Sequence, residues 1–178
     1  AYGLAVDASK YALRRAARAH PHALAVGWDV WRPLPIRSGA VELVLNVFAP
    51  RNAAEFHRVL APGGALIVVT PDTAHLEELV EVLELLAVDA RKEERLDRAL
   101  ADHFRLEQEE HLRISLTLDA AAVRRLVDMG PSAWHVDAAG LEARIAALDL
   151  PVRVTASFGL RRYRALPPLV PAPLEQGR

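Results

Sequence analysis

The sequence predicts an α/β fold with a mostly parallel sheet, on three observations. Residues 1–86 alternate short apolar runs with helical patterns, as βαβ units do. Three predicted strands end on or next to polar residues, Asp7, Asp29 and Asn46, where open α/β sheets bind their ligands. A Pro62-Gly63-Gly64 turn precedes a further apolar run, Ala65 to Val69.

The elements follow in order. Gly3-Leu4-Ala5-Val6 is a strand ending on Asp7, and Ser9 caps a helix to about Ala19. His20-Pro21 ends it, because the residue before proline disfavours the helical region. A second strand ends near Trp28-Asp29-Val30, and a third runs from Val41 to Val47. Ala53 to Leu60 forms a short helix stopped by Pro62-Gly63-Gly64, and Ala65 to Val69 is the fourth strand. Asp72 or Thr73 caps a longer helix with Leu76, Leu79, Val80, Leu83 and Leu86 on one face. Residues 87–150 are expected to be helical and charge-rich, with one helix ending at Gly130-Pro131 and another starting from Asp137. Val152 to Phe158, Gly159 and Leu160 to Arg164 predict an antiparallel hairpin, and the prolines from Pro167 to Pro173 a loose tail. The expected organisation is one domain over 1–165, in which 87–150 is a substrate-side helical insertion, followed by a Pro-rich tail over 166–178.

Composition narrows the classes. The 52% apolar content supports a sizeable core, and no apolar run approaches the roughly 20 residues that span a bilayer. No membrane association is expected, and the expected location is the cytoplasm. With no cysteine, disulfides and Cys-ligated zinc are excluded within these residues, and no metal site is predicted. A net charge of −1 gives no electrostatic footprint for nucleic acid. The basic residues are nearly all arginine, Lys10 and Lys92 being the two lysines, which reads as GC-rich coding.

The strand ends hold the candidate chemistry. Asp7 ends an apolar strand before a helix, where a carboxylate can accept from both ribose hydroxyls of an adenosine cofactor or cap the helix. Asp29 can accept from an adenine amino group while the Val30 N–H donates to the ring; an Asx turn is the equal alternative. Asn46 to Pro50 ends the central strand, where a substrate would meet a transferred group. Asn46 offers a donor and an acceptor, and Phe48 can stack on a planar base or sit in the core. His75 lies in the first turn of a helix and on its own reads as structural. His57, His103 and His111 lack partners at metal-ligand spacing, and Glu107, Glu109 and Glu110 read as a solvated face. Trp134 reads as a core anchor. No catalytic base is assigned.

The order Asp7-Ala8-Ser9-Lys10, Leu34-Pro35, Phe48-Ala49-Pro50, Pro62-Gly63-Gly64, Thr70-Pro71…His75-Leu76 and Met129…Pro131…Ala133-Trp134 resembles the bacterial large-subunit 23S rRNA (guanine-N1)-methyltransferases. That family includes members conferring resistance to tylosin-type macrolide antibiotics. The resemblance runs from Tyr2 to about Arg164. It implies a Rossmann-like class I methyltransferase sheet, with S-adenosyl-L-methionine as cofactor. It implies cofactor contacts at Asp7, Asp29, Val30, Asn46 and His75, and substrate contacts at Phe48 and Pro50. The implied reaction is methyl transfer to N1 of a guanine in an rRNA hairpin loop, with large-subunit rRNA as partner and a homodimer left open.

Two departures accompany it. The family's N-terminal four-cysteine zinc module has no counterpart here, so no zinc is expected in this chain. The first strand and its glycine-rich turn are missing too, so the sheet is expected to be truncated at its N-terminal side. Two strands, those ending at Asp7 and Asn46, then lose the ladder between them, and the isolated chain should bind cofactor poorly. Three other readings remain: a nicotinamide oxidoreductase using Asp7, a methyltransferase acting on a small molecule, and a non-catalytic binding module.

Overall fold

The structure is a computed structural model that describes residues 2–86, 89, 91–130 and 137–167. Trp134 and the 168–178 part of the predicted tail lie outside the described residues. The elements are β1 (Gly3–Asp7), α1 (Lys10–Ala19), β2 (Ala23–Gly27), β3 (Val41–Val47), α2 (Ala53–Val59), β4 (Leu60–Pro71), α3 (Glu77–Val80), α4 (Lys92–Leu100), β5 (Phe104–Leu118), α5 (Ala120–Met129), α6 (Ala138–Ala146) and β6 (Val152–Ala165).

The strands form two sheets, β1-β2 and β3-β4-β6-β5. β1 and β2 are parallel, with Gly3 opposite Ala23 and Asp7 opposite Gly27. β1 and β3 belong to different sheets, so no ladder joins them among the described residues. β6 runs antiparallel to β5: Leu166 N–H donates to the His103 carbonyl at one end and Arg161 meets Glu109 further along.

The chain divides into two compact units. The first comprises residues 1–67, 100–107 and 163–178. In it the Ser9 hydroxyl caps α1 by accepting from Ala12 N–H at 3.4 Å, as the sequence predicts. The Glu55–Arg58 pair of α2 clasps the Leu34-Pro35-Ile36 segment. Glu55 accepts from the Leu34 N–H, and Arg58 donates to the Leu34 and Ile36 carbonyls. Hydrogen bonding from Arg58 holds the Glu55 carboxyl below its ordinary range. His57 Nε2 sits 2.7 Å from the Leu166 carbonyl, with the His103 and Phe104 rings beside it.

The second unit comprises residues 68–99 and 108–162. Its core is Leu76, Leu79, Leu83, Val123, Val127, Leu141, Ile145 and Val154. Asp119 and Asp137 cap α5 and α6, as their spacing predicts. Arg161 is buried among Glu93, Asp97 and Glu109, at 2.6 to 3.1 Å, and they raise its pKa against the effect of burial.

Four expectations are corrected. Residues 87–150 are not all helical: β5 occupies Phe104–Leu118. It is the outer strand of its sheet and largely exposed; Leu112, Ile114, Leu116 and Leu118 alternate with Arg113, Ser115 and Thr117, a strand signal that the helical reading passed over because the charged run from Glu107 to Glu110 precedes it. The predicted C-terminal hairpin is one continuous strand, β6, through Gly159; the antiparallel partner of β6 is β5. Pro62-Gly63-Gly64 does not precede a strand but lies inside β4, where Gly63 takes a φ of +77°. A Cβ on Gly64 would stand 2.9 Å from the Ala61 carbonyl, so glycine permits the close backbone approach there. The long helix expected from Asp72 is a single turn, α3; Leu76, Leu79 and Leu83 are buried as predicted, whereas Leu86 is exposed. Asp72 does not cap it. Its carboxylate turns to Ala74 N–H and the Ser157 hydroxyl, and Leu76 precedes α3 in a left-handed conformation.

Candidate cofactor and substrate site

In the first unit the ends of β1, β2 and β3 carry six of the predicted site residues. Asp7 closes β1 with its side chain exposed. One carboxylate oxygen accepts from Ser9 N–H at 2.7 Å, so the residue also steers entry into α1. The Asp7 carbonyl accepts from Trp28 N–H at 3.1 Å, which ties the β1 end to the loop carrying Asp29. Asp29 accepts from Trp31 N–H at 3.0 Å, so the Asx turn weighed as the alternative is formed. The Val30 carbonyl accepts from the Asn52 amide at 3.0 Å, while Asn52 caps α2 through Glu55 N–H. One asparagine thus joins the Asp29-Val30 loop to the segment that follows β3.

Asn46 is 5% exposed, near the end of β3. Its Nδ2 donates to the Pro50 carbonyl at 2.9 Å, and its Oδ1 has no partner. An unpaired buried acceptor costs about 1–3 kcal/mol, so such a position calls for a donor from a ligand or water. Phe48 is half exposed, with a φ of 50° that a bulky side chain seldom adopts. The Phe48 ring is therefore not core. Sequence reading missed Arg51, next to Pro50, because an arginine between two short elements has no periodicity to mark it. Its Nε is buried without a partner, and burial lowers its pKa.

His75 lies in the second unit. Its Nδ1 is 3.2 Å from Ser157 N–H and 3.0 Å from the Ser157 carbonyl, and its ring packs at 4.9 Å from Phe158. Sequence reading also missed the neighbouring Asp72–Ser157 pair, at 2.6 Å, since its members are 85 residues apart. Burial raises the Asp72 pKa, but the Ser157 hydroxyl and Ala74 N–H outweigh it and hold the carboxyl below its ordinary value. Among the described residues no group of His, Asp and Glu could hold a metal ion, and no helix is long and apolar enough to cross a membrane.

The fold is that of class I S-adenosylmethionine-dependent methyltransferases. An S-adenosylmethionine-dependent methyltransferase from Mesorhizobium loti matches with a TM-score of 0.50 and 18% identity, over 92% of this chain and 80% of that one. The [4+2]-cyclase SpnF matches at a TM-score of 0.53 and 14% identity, over 90% of this chain and 65% of that one. These likenesses define the fold alone, since one scaffold hosts different reactions. No family model matches the sequence.

In sequence, the chain is homologous to 23S rRNA (guanine-N1)-methyltransferases. It is 52% identical over 167 residues to the 23S rRNA (guanine(748)-N(1))-methyltransferase of Streptomyces fradiae, covering 94% of this chain and 60% of that protein. It is 54% identical over 166 residues to a Micromonospora griseorubida protein provisionally given a 23S rRNA guanine-N1 methyltransferase name, covering 93% of this chain and 56% of that one. The chain therefore spans somewhat more than half the length of these curated relatives.

Proposed function

We propose that the protein carrying this chain transfers a methyl group from S-adenosylmethionine to N1 of a guanine in a hairpin loop of large-subunit rRNA. The observation that carries this reading is identity above 50% to the relatives over more than nine-tenths of the chain. The residues present fit the adenosine half of the cofactor. Asp7 and Asp29 sit at adjoining strand ends of one parallel pair, the expected places for ribose and adenine contacts. No glycine-rich turn is present for the methionine half. When bound, the cofactor supplies an activated methyl group.

The chain's own contribution is to hold the base. The half-exposed Phe48 ring offers a stacking surface of the kind that receives looped-out RNA bases, and Pro50 stiffens the loop behind it. Catalysis is then mainly a matter of near-attack positioning.

The test is to incubate the natural protein with 23S rRNA hairpin transcripts and S-adenosylmethionine, then map modified guanines by reverse-transcription arrest and mass spectrometry. A single arrest at a hairpin-loop guanine with a 14 Da mass gain, about one methyl group, is the expected result. Methylation confined to small molecules, or none, overturns the reading.

A further inference from the structure

Among the described residues, two buried side-chain polar atoms lack a hydrogen-bond partner, Asn46 Oδ1 and Arg51 Nε. They come from one six-residue segment, from the end of β3 to the residue before the α2 cap. One is an acceptor and the other a donor. Buried polar groups in folded proteins are otherwise almost all satisfied, so a complementary pair left open in one loop points to a ligand.

The identity of each open atom is fixed by its surroundings. The Asn46 amide donates through Nδ2 to the Pro50 carbonyl, and turning it over would set two oxygens face to face. The acceptor therefore remains outward from that bond. Arg51 is a donor through every nitrogen. Both flank Phe48 in sequence, whose half-exposed ring offers the stacking surface.

We propose that Asn46 and Arg51 read the Watson–Crick edge of the target guanine. This assignment rests on the guanine-N1 reading above and goes beyond it by naming the residues that select the base. The guanine edge presents O6, N1–H and the N2 amino group in that order. Arg51 donates to O6, Asn46 Oδ1 accepts from the N2 amino group, and N1 is bracketed between them. Adenine offers a donor at its 6-position and no amino group at its 2-position, so it mismatches both contacts. When N1 gives up its proton to water, the negative charge spreads onto O6. There the partly buried Arg51 cation stabilises it.

The test measures binding of the natural protein to a synthetic hairpin carrying the loop around guanosine 748 of 23S rRNA, the position in the Streptomyces fradiae relative's name. The target base is guanine, inosine (no N2 amino group) or 2-aminopurine (no O6). The unaltered protein is expected to bind both analogues about tenfold more weakly than guanine. Asn46→Ala should bring guanine and inosine to within twofold, and Arg51→Met should do the same for guanine and 2-aminopurine. The analogue series on the unaltered protein decides the matter even if a variant fails to fold. If the protein methylates guanine N1 yet binds all three hairpins equally, or if the preferences survive in the folded variants, the assignment falls and the parent reading stands. If guanine N1 is not methylated at all, both fall.

Discussion

The Ser157 hydroxyl donates to the Asp72 carboxylate at 2.6 Å, joining β6 to the residue that follows β4. Ser157 is fully buried and Asp72 partly so, and the bond replaces water at the Ser157 hydroxyl. The Asp72 pKa lies below the ordinary aspartate value of 3.8. A depressed carboxylate stabilises the fold fully above its unfolded pKa and loses that contribution as the pH falls through its folded pKa.

The unfolding temperature is therefore expected to fall as the pH drops from 5 to 3 on the usual acid-titration scale. Ser157→Ala, which removes the hydroxyl but little volume, should flatten that dependence. Circular dichroism melts at several pH values measure it, and an unchanged slope in the variant would mean that Asp72 takes no part.

Arg161 holds three carboxylates, from Glu93, Asp97 and Glu109. Arg161→Leu should destabilise the protein by about 2 kcal/mol, less than for a fully buried pair because the carboxylates are partly exposed. The loss should shrink at low pH, where the carboxylates no longer repel one another. Denaturant unfolding at two pH values reads both effects.

Gly64→Ala would place a methyl group against the Ala61 and Glu42 carbonyls, at 2.9 and 3.1 Å. Backbone cannot yield as a side-chain tip does, so a cost of about 1–3 kcal/mol is expected in thermal or denaturant unfolding. Leu79→Ala, in the second unit's core, should cost about 2–5 kcal/mol by the same measurement.

Residues 1–178 alone should bind S-adenosylmethionine only weakly, because the glycine-rich turn is absent and β1 and β3 share no ladder. Calorimetric titration checks this. Binding at millimolar affinity or tighter would refute it.

Local signals made several elements legible. Ser9, Asp119 and Asp137 announce helix starts, and short apolar runs announce β1 to β3. Asp7 and Asn46 stood out because each is a polar residue ending an apolar run. What stayed hidden depends on distant partners. The charged first part of β5 shows no strand pattern and pairs with β6, although Leu112 to Leu118 do alternate, and Gly159 passes through a strand although glycine usually punctuates one. Arg51 and Ser157 were unreadable for the same reason: what marks each is a bond made or missing in three dimensions.

The separation of the two sheets bears on synthesis. β1, α1 and β2 make their mutual contacts within the one stretch from Gly3 to Gly27, so they can close soon after β2 clears the ribosome. Once Asp72 is made, its bond to Ser157 must wait for 85 more residues, roughly 4 to 17 seconds of translation. Meanwhile β4 has no β6 beside it, and Leu43, Leu45 and Val47 of β3 are exposed in the structure. The nascent chain thus presents a sticky strand pair for seconds, the interval in which a chaperone would have most to do.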